Sequence, residues 1–106
     1  MKNDAAARIF AELGNVTRLD ILRLLITAGR EGLSIGDIRA QLKIPLSTLS
    51  FHLRGLLGAG LIEQKKLSRI VLCRPCFDAI NEAIAFLRTE CCAKATQPSA
   101  DRKAAA

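Results

Sequence analysis

Apolar residues spaced three and four apart organise most of this chain. Leu46, Leu49, Leu53, Leu56 and Leu57 make one continuous stripe on a helix entered through Pro45, which suits a first helical position, and stopped by Gly58-Ala59-Gly60. Upstream, Leu33 to Leu42 predicts a short amphipathic helix with Ser34 and Asp37 at capping-box-like spacing. Only Lys43-Ile44 separate it from Pro45, the tight connection of a helix-turn-helix. Nearer the start, Asp4 is placed to cap a first helix through Leu13, whose apolar face is Ala7, Ile9, Phe10 and Leu13. Gly14-Asn15 ends it, a second helix spans Val16 to Ala28, and Gly29 to Gly32 form a loop. Leu61–Lys66 and Arg69–Cys73 predict two strands joined around Leu67-Ser68. Arg74-Pro75 then opens a last helix through Cys91 and Cys92, with Phe77, Ile80, Ile84, Leu87 and Cys91 spaced as the seam of a helix packed on a partner helix.

The fold expected is mainly α with a small β-hairpin, a winged helix-turn-helix that dimerises through its terminal helices. Residues 1–92 form this one domain, and the Ala, Thr, Gln, Pro, Ser and Lys of 93–106 mark a disordered tail. A chain of 106 residues with no Trp or Tyr builds its core from Leu, Ile and Ala, a modest core that dimerisation would help.

Charge gives the helices and hairpin a partner. The formal net charge of +6 favours a polyanion. On the helix entered at Pro45, Ser47, Thr48, Ser50, His52 and Arg54 are short or forked groups near the outward arc, suited to base edges and phosphates in a major groove. Lys65, Lys66 and Arg69 on the hairpin would reach flanking phosphates or a minor groove. For His52, a half-buried position hydrogen-bonded to backbone or phosphate is the alternative.

Three runs of residues are similar to successive signatures of the ArsR/SmtB metalloregulatory repressors. They are Asn15-Val16-Thr17-Arg18-Leu19-Asp20-Ile21-Leu22-Arg23-Leu24-Leu25, the Ser-x-Leu-Ser-x-His-Leu of 47–53, and Gly58-Ala59-Gly60-Leu61-Ile62. The resemblance covers Ala6 to Cys92. It implies a homodimeric repressor that sits on a palindromic double-stranded operator and leaves it when a metal or metalloid binds.

The four cysteines narrow the effector. Cys91-Cys92 is a vicinal pair, and Cys73-x-x-Cys76 straddles the wing and the last helix. A helix running through both would hold Cys76 and Cys91 roughly 22 Å apart at 1.5 Å per residue, so one chain cannot close a four-thiolate zinc cage. Antiparallel last helices in a dimer could instead bring Cys73 or Cys76 of one subunit toward Cys91 and Cys92 of the other. Adjacent thiols suit a soft trivalent centre, arsenic or antimony. Some arsenic-responsive members of the family carry a Cys-Cys pair at this place. The family's Cys-x-Cys in the first reading helix is absent from Ser34–Leu42, the last helix has no histidine for an interfacial zinc site, and no third cysteine follows Cys92. Two-thiol binding then favours a methylated arsenical, unless Cys73 or Cys76 lends a third ligand; Cys73, among apolar neighbours, is more naturally a packing residue.

The expectation is therefore a cytoplasmic repressor, with reduced cysteines, that releases its operator on binding arsenite, methylarsenite or antimonite and needs no organic cofactor. A thiol or persulfide redox sensor on the same scaffold is the nearest alternative, followed by a metal-independent winged-helix DNA-binding protein. An enzyme is not expected, because the one histidine lies in the reading segment and no nucleophile elbow, phosphate loop or carboxylate pair is present. No apolar run is long enough to span a bilayer.

Overall fold

The computed structural model describes residues 1–95; the rest of the expected tail, 96–106, lies outside them. Five helices and three strands follow in the order α1 (Asn3–Leu13), α2 (Val16–Ala28), β1 (Leu33–Ser34), α3 (Ile35–Leu42), α4 (Leu46–Gly58), β2 (Ile62–Leu67), β3 (Ile70–Pro75) and α5 (Phe77–Arg88). The winged helix-turn-helix expected from the pattern is the fold observed.

Local chemistry explains the boundaries. Asn15 begins α2 by accepting a hydrogen bond from the Arg18 N–H at 3.1 Å, and Gly29 ends it at φ 90°, its N–H donating to Leu25 and Ile26. Ser34 caps α3 by accepting from the Asp37 N–H at 3.0 Å, and Lys43 closes it in the left-handed region at φ 55°. Asp4 caps nothing: Lys2 precedes the helix without a side-chain cap, and the Asp4 carboxylate accepts from the adjacent Ala5 N–H within the first turn. Pro45 is extended at ψ 152° and stands just before α4, not at its first helical position. Leu46, expected in the buried stripe, is 47% exposed at that fraying end.

Leu33 and Ser34 are not helical. They pair with β3 opposite Cys73 and Leu72, so the hairpin becomes a three-stranded antiparallel sheet in the order β1-β3-β2. The strands of the wing run one residue later than expected at the tip, where Leu67 faces Ile70 across a turn of Ser68 and Arg69, and Leu61 lies outside β2. Pro75 closes β3 opposite Ile62 and does not open α5. That helix stops at Arg88, because Thr89 turns to ψ 132° and its hydroxyl donates to the Ala85 carbonyl. Cys91 and Cys92 are thus beyond the helix, in hydrogen-bonded turns that run on to Ala95.

One core joins all layers. Ile9 of α1, Ile21, Leu22 and Leu25 of α2, Ile38 of α3, Leu49, Leu53 and Leu56 of α4, Leu61, Ile62, Cys73 and Ala83 are buried together. Truncating a Leu here to Ala typically costs about 2–5 kcal/mol. On α5, Ala83 is the buried residue, while Ile84 and Leu87 of the expected seam are 52% and 67% exposed.

Two glycines separate backbone strain from packing. Gly32 and Gly60 both sit at φ 75°, but a side chain on Gly32 would run into the Cys73 carbonyl of β3, whereas Gly60 faces open space. Gly32→Ala should therefore cost at least about 2 kcal/mol and lower Tm by roughly 8 °C or more, against about 1 kcal/mol for Gly60→Ala. Thermal melts followed by circular dichroism check this; equal shifts for the two variants would show that the close approach of β3 to this loop contributes nothing.

Candidate nucleic-acid interface and thiol site

The buried stripe of α4 decides which of its other residues face outward. With Leu49, Leu53 and Leu56 inside, the exposed arc holds Ser47, Thr48, Phe51 and Arg54, with Ser50 half-buried at its border. One expected reader turns inward, and a neighbour that was not singled out turns outward. His52 is 8% exposed, with its Nδ1 buried and without a hydrogen-bond partner, so it lies on the inner side of the helix and not on the outward arc. Phe51 is 56% exposed and meets the His52 ring edge-on at 5.3 Å. Phe51 was missed because it is apolar, yet its spacing of four from Ser47 and three from Arg54 already puts it on their face.

Charge is held beside this arc. Arg18 of α2 pairs with Glu12 of α1 at 3.1 Å and lies over the Phe51 ring at 5.5 Å from its centre. The pair rests on α4 at Gly55, where any side chain would strike the Glu12 carboxylate. On the wing, Lys65 and Lys66 of β2 and Arg69 of the turn are all exposed, and Leu67 and Ile70 form an exposed apolar tip. The sequence-based candidates on α4 and the wing are thus solvent-facing, His52 and the half-buried Ser50 apart.

The cysteines divide into three environments. Cys73 is fully buried and accepts a hydrogen bond at Sγ from the Gln64 amide at 3.6 Å; burial pushes its thiol pKa up, partly offset by that bond. Cys76 is half-buried at the mouth of a cleft of about 340 Å3 shared with Arg30, Arg74 and Phe77. Its pKa is raised by burial first and then by the carboxylates of Glu63 and Asp78. Cys91 and Cys92 are both exposed, with their sulfurs 3.5 Å apart. The Cys92 thiol is pushed up by its hydrogen bond with Cys91, by repulsion between the two charges, and slightly by desolvation. No group of three or more His, Cys, Asp or Glu among the described residues could hold a metal ion, so within one chain the vicinal pair gains no third ligand from Cys73 or Cys76.

Residues 13–65 match the family model described as a helix-turn-helix domain. The uncharacterized HTH-type transcriptional regulator YceK of Bacillus subtilis is 40% identical over 63 residues, 59% of this chain and 62% of YceK. The uncharacterized HTH-type transcriptional regulator MJ1325 of Methanocaldococcus jannaschii is 40% identical over 65 residues, 61% of this chain and 71% of MJ1325. Among solved structures, an ArsR-like transcriptional regulator from Rhodococcus sp. RHA1 superposes with a TM-score of 0.72 at 28% identity, covering 81% of this chain and 78% of its own. The chain belongs to the helix-turn-helix transcriptional regulators of the ArsR family. Another similar structure is the homodimeric winged helix-turn-helix DNA-binding domain Mb0332 of Mycobacterium bovis, a possible ArsR-family regulator, with a TM-score of 0.67 at 25% identity over 83% of this chain and 82% of that one. These relatives carry regulator names, in agreement with the expectation that this ArsR-family chain is not an enzyme. No helix among the described residues is long and apolar enough to cross a membrane.

The thiol environments of this regulator make a direct prediction. Iodoacetamide applied to the reduced, folded protein should alkylate Cys91 and Cys92 first, Cys76 more slowly, and Cys73 only after unfolding. Peptide mass spectrometry reads the order; early labelling of Cys73 would contradict its place in the core.

Proposed function

We propose that this chain is a homodimeric transcriptional repressor that grips a palindromic operator with α4 and the β2–β3 wing, and that it releases the operator when Cys91 and Cys92 capture a trivalent arsenical in the cytoplasm. The exposed arc of Ser47, Thr48 and Arg54 and the exposed cations Lys65, Lys66 and Arg69 support the first part. Recognition helices of a dimer enter successive major grooves about 34 Å apart, with wings on the flanking backbone. The outward Ile84 and Leu87 on α5, a helix in contact with α1, supply an apolar surface for a second subunit, and a similar domain is itself homodimeric.

The observation that carries the effector is the pair of exposed sulfurs 3.5 Å apart. Two sulfurs each about 2.3 Å from one bonded centre stand roughly 3.3 to 3.8 Å apart for angles between about 90° and 109°, so the pair needs little rearrangement to share a single centre. Methylarsenous acid has two As–OH groups to exchange for two As–S bonds. Each thiol proton leaves with a hydroxide as water, so capture releases two waters and no net proton. A raised thiol pKa therefore does not weaken it. At Cys92 the same shift lowers the share of thiolate, the species that reacts with peroxide. Zinc would have to expel the thiol protons into solution, and its binding would strengthen as pH rises.

Native mass spectrometry of the reduced full chain tests the effector site. One methylarsenic adduct per chain is expected from pH 6 to 8 with similar affinity, lost in Cys91→Ser and in Cys92→Ser, and kept in Cys73→Ser and Cys76→Ser. Loss of an arsenite adduct in Cys73→Ser or Cys76→Ser would identify a third thiol crossing the dimer; an adduct that survives Cys91→Ser overturns the site. For the DNA face, Arg54→Ala, or Lys65→Ala with Arg69→Ala, should weaken operator binding and flatten its salt dependence by about 0.9 in the log-log slope for each lost phosphate contact. Unchanged slopes would remove this face from the interface.

A further inference from the structure

The geometry points to Phe51 as a specificity-determining residue that selects a thymine in each half-site by packing its ring on the C5-methyl group. This inference rests on the proposal that α4 enters a major groove. At about 100° per residue, Ser47, Phe51, Arg54 and Gly58 lie within about 60° of one another, the centre of the exposed arc. Phe51 is the only large apolar side chain there, 56% exposed while its leucine neighbours are buried.

Its ring is also held in place. The Arg18 guanidinium lies 5.5 Å from the ring centre on one side, itself tied to Glu12 at 3.1 Å, and the His52 ring meets it at 5.3 Å with a 67° interplanar angle. An aromatic ring ordered in this way loses little rotamer freedom when a partner covers it. Charge identifies that partner as duplex DNA. Arg54 stands exposed on the arc and Lys65, Lys66 and Arg69 stand exposed on the wing, a pattern suited to phosphates on either side of a groove.

Within the groove the ring has one apolar target. Base edges in the major groove offer donors and acceptors at every position, and thymine alone adds a methyl group. Of the other exposed side chains on this arc, Ser47 and Thr48 are shorter than phenylalanine and Arg54 carries a charge suited to phosphate. The ring is therefore the one large apolar group that the arc turns to the bases. Having no hydrogen-bonding group, it discriminates only through the methyl.

The test begins with in vitro selection of duplexes by the full-length protein, followed by replacement of each thymine in the selected site by deoxyuridine, which lacks only that methyl. Fluorescence anisotropy then gives Kd for the wild type, Phe51→Ala and Phe51→Leu. One thymine per half-site should be sensitive, with the wild type binding the deoxyuridine site roughly fourfold more weakly, the loss expected for one buried methyl. Phe51→Ala should bind the two sites equally, and Phe51→Leu should keep part of the preference. Because the ring is exposed, the Phe51→Ala melting temperature should match the wild type. A scan with no sensitive thymine, or one whose penalty persists in Phe51→Ala, overturns the inference while leaving α4 as a DNA-binding helix. Failure to select any sequence overturns the DNA-reading proposal itself.

Discussion

Burial of Leu49, Leu53 and Leu56 sets the roll of α4 about its own axis, and every outward feature of that helix follows from it. These leucines join Ile21 and Leu25 of α2, Ile38 of α3 and Leu61 in one core. A shift of one residue would rotate the helix by about 100°, carrying Ser50 and Arg54 into the places of Leu49 and Leu53 and exposing leucine, at about 1.5–3 kcal/mol for each side chain returned to water. Gly55 completes the constraint. Its missing side chain lets the Glu12–Arg18 pair lie against α4, and the same arginine covers Phe51. Core packing on one side and an ion pair on the other thus present a fixed set of side chains to solvent.

The thiol pair is joined to this scaffold differently. Cys91 and Cys92 stand after the last helical residue, Arg88, in turns where Glu90 and Cys92 themselves adopt left-handed backbone at φ 60° and 61°. Backbone of that kind is cheap to rearrange compared with a helix interior. It adjoins the part of α5 where Ile84 and Leu87 face outward, so in the proposed dimer a change in the turn would reach the seam with few intervening groups. An effector there needs only to prefer one dimer arrangement over another. A coupling of a few kcal/mol then changes operator affinity by orders of magnitude.

Much of this was legible in the sequence where a local signal and the tertiary structure agree. Asn15 and Gly29 bracket α2 at the residues expected, and Lys65, Lys66 and Arg69 stand out on the wing because nothing covers that hairpin. The expectations failed where long-range contacts decide. A two-residue strand such as Leu33-Ser34 has no period of its own and exists only because β3 pairs with it. Pro75 resembles a helix opener, but its register with Ile62 holds it in the sheet. The placement of Phe51 and His52 is instructive in another way. Polarity suggested that histidine faces out and left phenylalanine unassigned, yet the spacing of Leu49, Leu53 and Leu56 places position 52 among them whatever residue stands there.

The account depends most on a link between the sulfur pair and the operator, and that link can be measured directly. Labelled operator duplex is saturated with the reduced protein, and its anisotropy is followed while methylarsenite, arsenite or hydrogen peroxide is added. The account predicts that methylarsenite returns the anisotropy to that of free duplex at about one equivalent per chain, with peroxide acting far more slowly. Anisotropy unmoved by every trivalent arsenical, or released by peroxide alone, would contradict it.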